Sequence, residues 1–257
     1  MKNIKLIVLC LFISFVVSCS TPMQDAMKRH HPIAYVPKNI QNSKPDPHFM
    51  DEKAIVVTLL NGKQFFVGDE EYPKEVVREA IEKQFEKNPS EKQLIYLNID
   101  LTADYGAVVQ ALDIIRRTNA ESVGLIVEPA TGADKKLQVL KVKYLPEPEE
   151  DDAPDLLDKR LVINLQKDGK IKLGRFDNYA FKPSSPEVAE PEVGGKLAPM
   201  LKENEEKKIN LKGTSEIDRA IFVKATRANR YGEVARLVDA ATGAGAAEIY
   251  MVLDDLE

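Results

Sequence analysis

Residues 95–128 and 221–254 align without a gap at a constant offset of 126. Few positions are identical: Ile95/Ile221, Tyr105/Tyr231, Gly106/Gly232, Val108/Val234, Asp113/Asp239 and Ala120/Ala246. The apolar positions agree almost throughout, as at Tyr96/Phe222, Leu97/Val223, Leu112/Val238, Val123/Ile249 and Leu125/Met251. A repeat that keeps its apolar frame while its surface drifts is a duplicated folding unit. A chain of 257 residues built this way must form two small units rather than one large one.

The spacing within each unit gives its elements. Two β-rich runs, 54–60 and 63–67, flank Asn61-Gly62, the pair that a type I′ hairpin turn demands because both central residues take positive φ. Pro73 opens a helix with Val76, Val77, Ala80, Ile81 and Phe85 on one stripe. Leu94–Ile99 reads as a strand. Asp104 can cap a second helix carrying Tyr105, Val108, Val109, Leu112 and Ile115. Ser122–Val127 is the next strand, and 135–144 adds an edge strand. The second unit repeats the order around Asp168-Gly169, with its extra length expected as one loop insertion within 176–199 and a helix near 197–205. The expected fold class is α+β: two tandem β-β-α-β-α-β domains, each with helices on one face of a small sheet.

The ends set the context. Lys2 and Lys5 form a basic start, and Ile4–Val17, apolar apart from Lys5 and Ser14, is too short for a membrane span and is followed by Ser18-Cys19-Ser20. This predicts a signal peptide over 1–18. Val16-Val17-Ser18-Cys19 resembles the lipobox of bacterial lipoproteins, which makes Cys19 the expected lipidation site; a retained N-terminal anchor helix is the alternative. Cys10 would leave with the signal, so no disulfide is expected. Residues 19–52 lack a sustained period and are expected as a lipid-attached tether. The remaining divisions are a first domain over 53–145, an acidic proline-rich linker over 146–159, and a second domain over 160–257.

The order of motifs carries a resemblance. Leu60-Asn-Gly-Lys-Gln-Phe65, then 96–113 with Asp104-Tyr105-Gly106, then Val123-Gly-Leu-Ile-Val127, resembles the periplasmic domain of the ExbD/TolR family. The second unit is similar through Asp168-Gly169 and Tyr231-Gly232-Glu233-Val234, and departs at Thr226, where the first has Asp100. The resemblance implies partners: an ExbB/TolQ-like membrane protein or a TonB/TolA-like protein, in complexes that use the proton gradient. It also implies association with peptidoglycan and pairing, here as an internal pseudo-dimer or a homodimer. The family's proton-linked aspartate lies in a transmembrane helix, whereas Ile4–Val17 contains no acidic residue. The reading is therefore an accessory protein of the bacterial cell envelope, lipid-anchored and facing the periplasm. A binding scaffold without a transport role is the alternative.

Tyr105, Gly106, Asp113 and their counterparts Tyr231, Gly232, Asp239 are the candidate structural or partner-binding residues, because only what recurs can serve both units. No catalytic residue, cofactor site or metal site is expected. His30, His31 and His48 all fall in the tether, and no nucleophile motif appears in either unit. A net charge of −5 disfavours nucleic acid as a partner.

Overall fold

A computed structural model describes Pro32 and residues 34–50, 54–87, 93–118, 120, 122–131, 136–143, 160–177, 180–184, 186–207, 209 and 218–254. The expected signal peptide, Cys19, His30, His31 and the 146–159 linker lie outside these residues.

In the first unit, β1 (Ile55–Leu60) and β2 (Gln64–Val67) form the expected hairpin, with Asn61 at φ 51° and Gly62 at φ 65°. A short β3 (Glu70–Tyr72) follows, then a 3-10 turn over Lys74–Val76 and helix α1 (Val77–Lys87). Val77, Ala80 and Ile81 are buried, but Val76 is exposed. The expected stripe fails at Val76 because the 3-10 turn rotates it off the α-helical face. Next come β4 (Leu94–Ile99), α2 (Tyr105–Arg116), β5 (Ser122–Val127) and β6 (Gln138–Val142). The sheet order is β3-β2-β1-β4-β5-β6. Strands β1, β4 and β5 are parallel, and the outer strands run antiparallel to their neighbours.

The second unit contains β7 (Leu161–Leu165), β8 (Ile171–Asp177), β9 (Ala180–Pro183), a 3-10 turn over Glu190–Glu192, α3 (Val193–Glu206), β10 (Ala220–Ala225), α4 (Tyr231–Gly243) and β11 (Glu248–Leu253). Its sheet order, β11-β10-β7-β8-β9, matches that of the first unit without β6. The fold class is α+β, with two mixed sheets and four helices among the described residues. Two details differ from expectation. At Asp168-Gly169 only the glycine has positive φ, 82°. The Gly169 N–H donates to Gln166 O and the Gln166 N–H to Lys170 O, which makes a three-residue loop closed by a left-handed glycine. The extra length is also not one insertion. The offset between units is 107 at Gly62/Gly169, 116 at the starts of α1 and α3, and 126 at the starts of β4 and β10. Part is spent before α3 and part after it starts.

Alternate residues of each strand point to opposite faces. Val57, Leu59, Leu97 and Leu125 pack with Ile81, Val108, Leu112 and Ile115 in a helix-side core. Ile163, Leu173, Val223 and Met251 join that same cluster from the second unit, with Leu197, Val234 and Val238. One continuous core therefore runs through both units. Val56, Tyr96, Ile126 and Val139 form a separate cluster on the other face of the first sheet.

Residues 34–50 correct the expectation of a tether. Val36 and Phe49 cover that second cluster, and Ile40 is buried in the main core. The Ile40 N–H donates to Glu128 O, the Ala130 N–H to Ile40 O, and Lys44 exchanges two backbone bonds with Val139 on the edge of β6. The segment is a strap. It shows no sequence period because only isolated residues turn inward while backbone groups make most of its attachments. No helix among the described residues is long and apolar enough to cross a membrane.

Candidate functional site

The recurrent Tyr-Gly pairs meet at a seam between the units. The loop from β4 to α2 and the loop from β10 to α4 lie against each other. The Tyr105 N–H donates to Asn229 O at 2.8 Å, and the Tyr231 N–H to Ala103 O at 2.8 Å. The Gly106 N–H donates to Arg227 O at 3.1 Å, and the Gly232 N–H to Leu101 O at 2.9 Å. Each bond of a pair maps onto the other through the 126-residue offset. The contact is thus reciprocal, as in an isologous dimer interface.

This arrangement answers a general need. The first amides of a helix have no intrahelical acceptor. Here each helix uses the carbonyls of the other unit's loop. Asp104, expected to cap α2, makes no side-chain cap bond. Its place is taken from across the seam. The glycines permit the approach: a Cβ on Gly106 would lie 3.1 Å from Arg227 Cβ, and one on Gly232 would lie 3.1 Å from Leu101 O. The two loops hold their shape with different side chains. Asp100 accepts from the Thr102 N–H and hydroxyl, whereas Asn229 accepts from the Thr226 N–H and hydroxyl. That is how Asp100 could be replaced by Thr226 without loss of the loop.

Both tyrosines are fully buried. The Tyr105 hydroxyl lies 3.2 Å from Val223 O and 3.1 Å from Val252 O, in β10 and β11 of the other unit. The Tyr231 hydroxyl has no hydrogen-bond partner among the described residues. Burial pushes both phenols far above their ordinary pKa. They stay neutral in the usual pH range, and their rings fill the seam.

Asp113 and Asp239 have diverged. Asp113 is half-buried on α2 and pairs with Arg116 and Arg117 one turn on. Asp239, on α4, is buried and grips the strap. Its carboxylate accepts the Gln41 N–H at 2.9 Å and the Asn42 N–H at 2.6 Å, and its backbone carbonyl accepts from Asn42 Nδ2 at 3.1 Å. The strap thereby binds the second unit as well as the first. Sequence reasoning missed Gln41 and Asn42, whose contribution is largely backbone.

A further link joins β6 to β11. The Lys143 N–H donates to Ile249 O at 2.8 Å, and the Lys143 ammonium pairs with the Glu248 carboxylate. Burial opposes ionisation of Glu248, but hydrogen bonds from Lys143 and Tyr250 outweigh it and leave its pKa below the ordinary value. A depressed carboxylate pKa stabilises the fold above the unfolded value and loses that contribution as pH falls through the folded one. Glu248→Gln is therefore expected to flatten the acid limb of a urea-midpoint-versus-pH curve. An acid limb identical to that of the unaltered protein would contradict the assignment.

A groove of about 660 Å³ opens where the strap, β6 and the end of α4 meet, with Lys44, His48 and Lys141 beside Leu140, Ala246 and Ile249. Asp46 on its rim pairs with Lys141 at 3.2 Å. No group of His, Cys, Asp and Glu among the described residues could hold a metal.

The first unit and the segment before it can be compared with known proteins. Residues 7–130 match the family model of biopolymer transport protein ExbD/TolR. The ExbD/TolR match begins inside the apolar N-terminal run and ends just after β5, so it takes in Tyr105, Gly106 and Asp113. Tyr231, Gly232 and Asp239 lie beyond it. No curated protein and no solved structure matches the chain.

Proposed function

We propose that this chain is an accessory component of an envelope system of the ExbB–ExbD or TolQ–TolR type, which uses the proton-motive force to drive biopolymer transport or to energise the envelope. The observation that carries this reading is the ExbD/TolR match over residues 7–130. The second unit, with its Tyr231-Gly232 helix start and the same strand order, is a further ExbD/TolR-like domain in this reading. Lipid on Cys19 would hold the protein at the membrane with both units in the periplasm. The apolar run Ile4–Val17 carries no carboxylate to relay protons, so in this reading the chain does not itself supply the proton-coupled helix. Its partner is an ExbB/TolQ-like membrane protein, or a TonB/TolA-like protein that receives the energy.

Cross-linking in native membranes, followed by purification of the tagged full chain, tests the reading. Recovery of an ExbB/TolQ-like subunit is the expected result. Sedimentation with isolated cell-wall sacculi without any such subunit would instead favour a peptidoglycan-binding scaffold. Cys19→Ala is expected to release the chain from membranes. Retention of the variant would favour an uncleaved anchor helix, a possibility that the start of the family match at residue 7 supports.

A further inference from the structure

Asp104 and Arg230 occupy the centre of the seam. They are paired as an isolated antiparallel bridge, and they are the same position of the two units. The flanking bonds, Tyr105 N–H to Asn229 O and Tyr231 N–H to Ala103 O, make this a non-hydrogen-bonded pair. In such a pair the Cα atoms stand about 4.5 Å apart and the side chains are at their closest. Both residues are exposed, and they carry opposite charges.

A reciprocal seam could join any two such units, because its bonds are backbone bonds. What differs between the possible pairings is the side chains on the axis. Two copies of the first unit would set Asp104 against Asp104. Two copies of the second would set Arg230 against Arg230, with Arg227 of each loop beside the other's helix start. Like charges directly opposite across strands are destabilising, and opposite charges are favourable. Glu233, which accepts the Arg230 N–H, is the remaining charge on this turn and stays with its own unit in every pairing. The tyrosines differ as well: among the described residues, Tyr105 finds carbonyl acceptors across the seam and Tyr231 does not.

We infer that the charges on the axis select unlike units: the surface around Ala103–Tyr105 is built to accept the loop around Asn229–Tyr231 and to reject a second copy of itself. The interface is closed against homotypic pairing, whatever transport role the protein has.

Charge exchange in the full-length chain tests this. Asp104→Arg and Arg230→Asp each turn the opposed pair into a like pair, and each is expected to lower Tm by about 2–4 °C. The double variant Asp104→Arg/Arg230→Asp restores opposite charges and is expected to recover more than half of the summed loss. A double variant whose loss equals the sum of the two single losses, or single variants with no loss at all, would overturn the inference. Sedimentation of the same proteins adds an independent reading. Each single variant carries one sign of charge at both axis positions, so pairing with its own copy relieves nothing, whereas a chain of one variant paired with a chain of the other restores opposite charges. An equimolar mixture of the two single variants is therefore expected to form a species of twice the mass that neither variant forms by itself, and a mixture that stays at the mass of the separate variants would also count against selection by charge.

Discussion

Tyr105→Ala is expected to lower stability by about 3–5 kcal/mol, the range for truncating a fully buried aromatic ring. The ring sits wholly inside the seam, so its loss leaves a cavity shared by both units. Tyr105→Phe separates the hydroxyl from the ring. It removes a bond to Val223 O or Val252 O and is expected to cost about 1 kcal/mol. Tyr231→Phe removes a buried hydroxyl that has no partner among the described residues and is expected to be neutral or stabilising. Urea titration of the three variants checks the order. Equal losses for the two phenylalanine variants would contradict the asymmetry of the seam.

Asp239→Ala is expected to cost about 2–3 kcal/mol, because its buried carboxylate accepts two strap amides and bonds to a charged acceptor are the stronger kind. The Gln41 and Asn42 amides should then exchange with solvent much faster through local release of the strap, while those of β1 and β4 speed up only by the loss of global stability. Asp113→Ala at the equivalent position is expected to cost no more than about 1 kcal/mol, since it removes only local ion pairs within its own helix. Hydrogen exchange read residue by residue tests both. Unchanged protection at Gln41 and Asn42 in Asp239→Ala would show that the strap is held by Ile40 and β6 alone.

The sheets and helices were legible because their signal is periodic. Apolar residues at strand and helix spacing, with Asn61-Gly62 and Asp168-Gly169 as turns, placed nearly every element. What sequence could not give was the set of attachments made by backbone groups. The strap buries Val36, Ile40 and Phe49 at no regular interval, and its remaining bonds are N–H and C=O groups that any residue supplies. The seam is hidden for the same reason. Arg227, Asn229, Leu101 and Ala103 enter it through their carbonyls. Only the recurrence of Tyr-Gly marked the place, and the glycine was the informative half, since a Cβ there would crowd the opposite loop. Asp113 and Asp239 show the limit of recurrence as a guide: the same residue in the same helical position serves the surface in one unit and the strap in the other.

The pairing of the two units within one chain is tested most directly by a disulfide at its centre. In full-length protein lacking Cys10 and Cys19, Asp104→Cys and Arg230→Cys would place two thiols on a non-hydrogen-bonded antiparallel pair, whose Cα separation of about 4.5 Å lies within the range a disulfide spans. Mild oxidation should join them within the chain, giving a monomer of altered mobility on a non-reducing gel. Thiols that stay free, or a bond that appears only between two chains, would contradict the account.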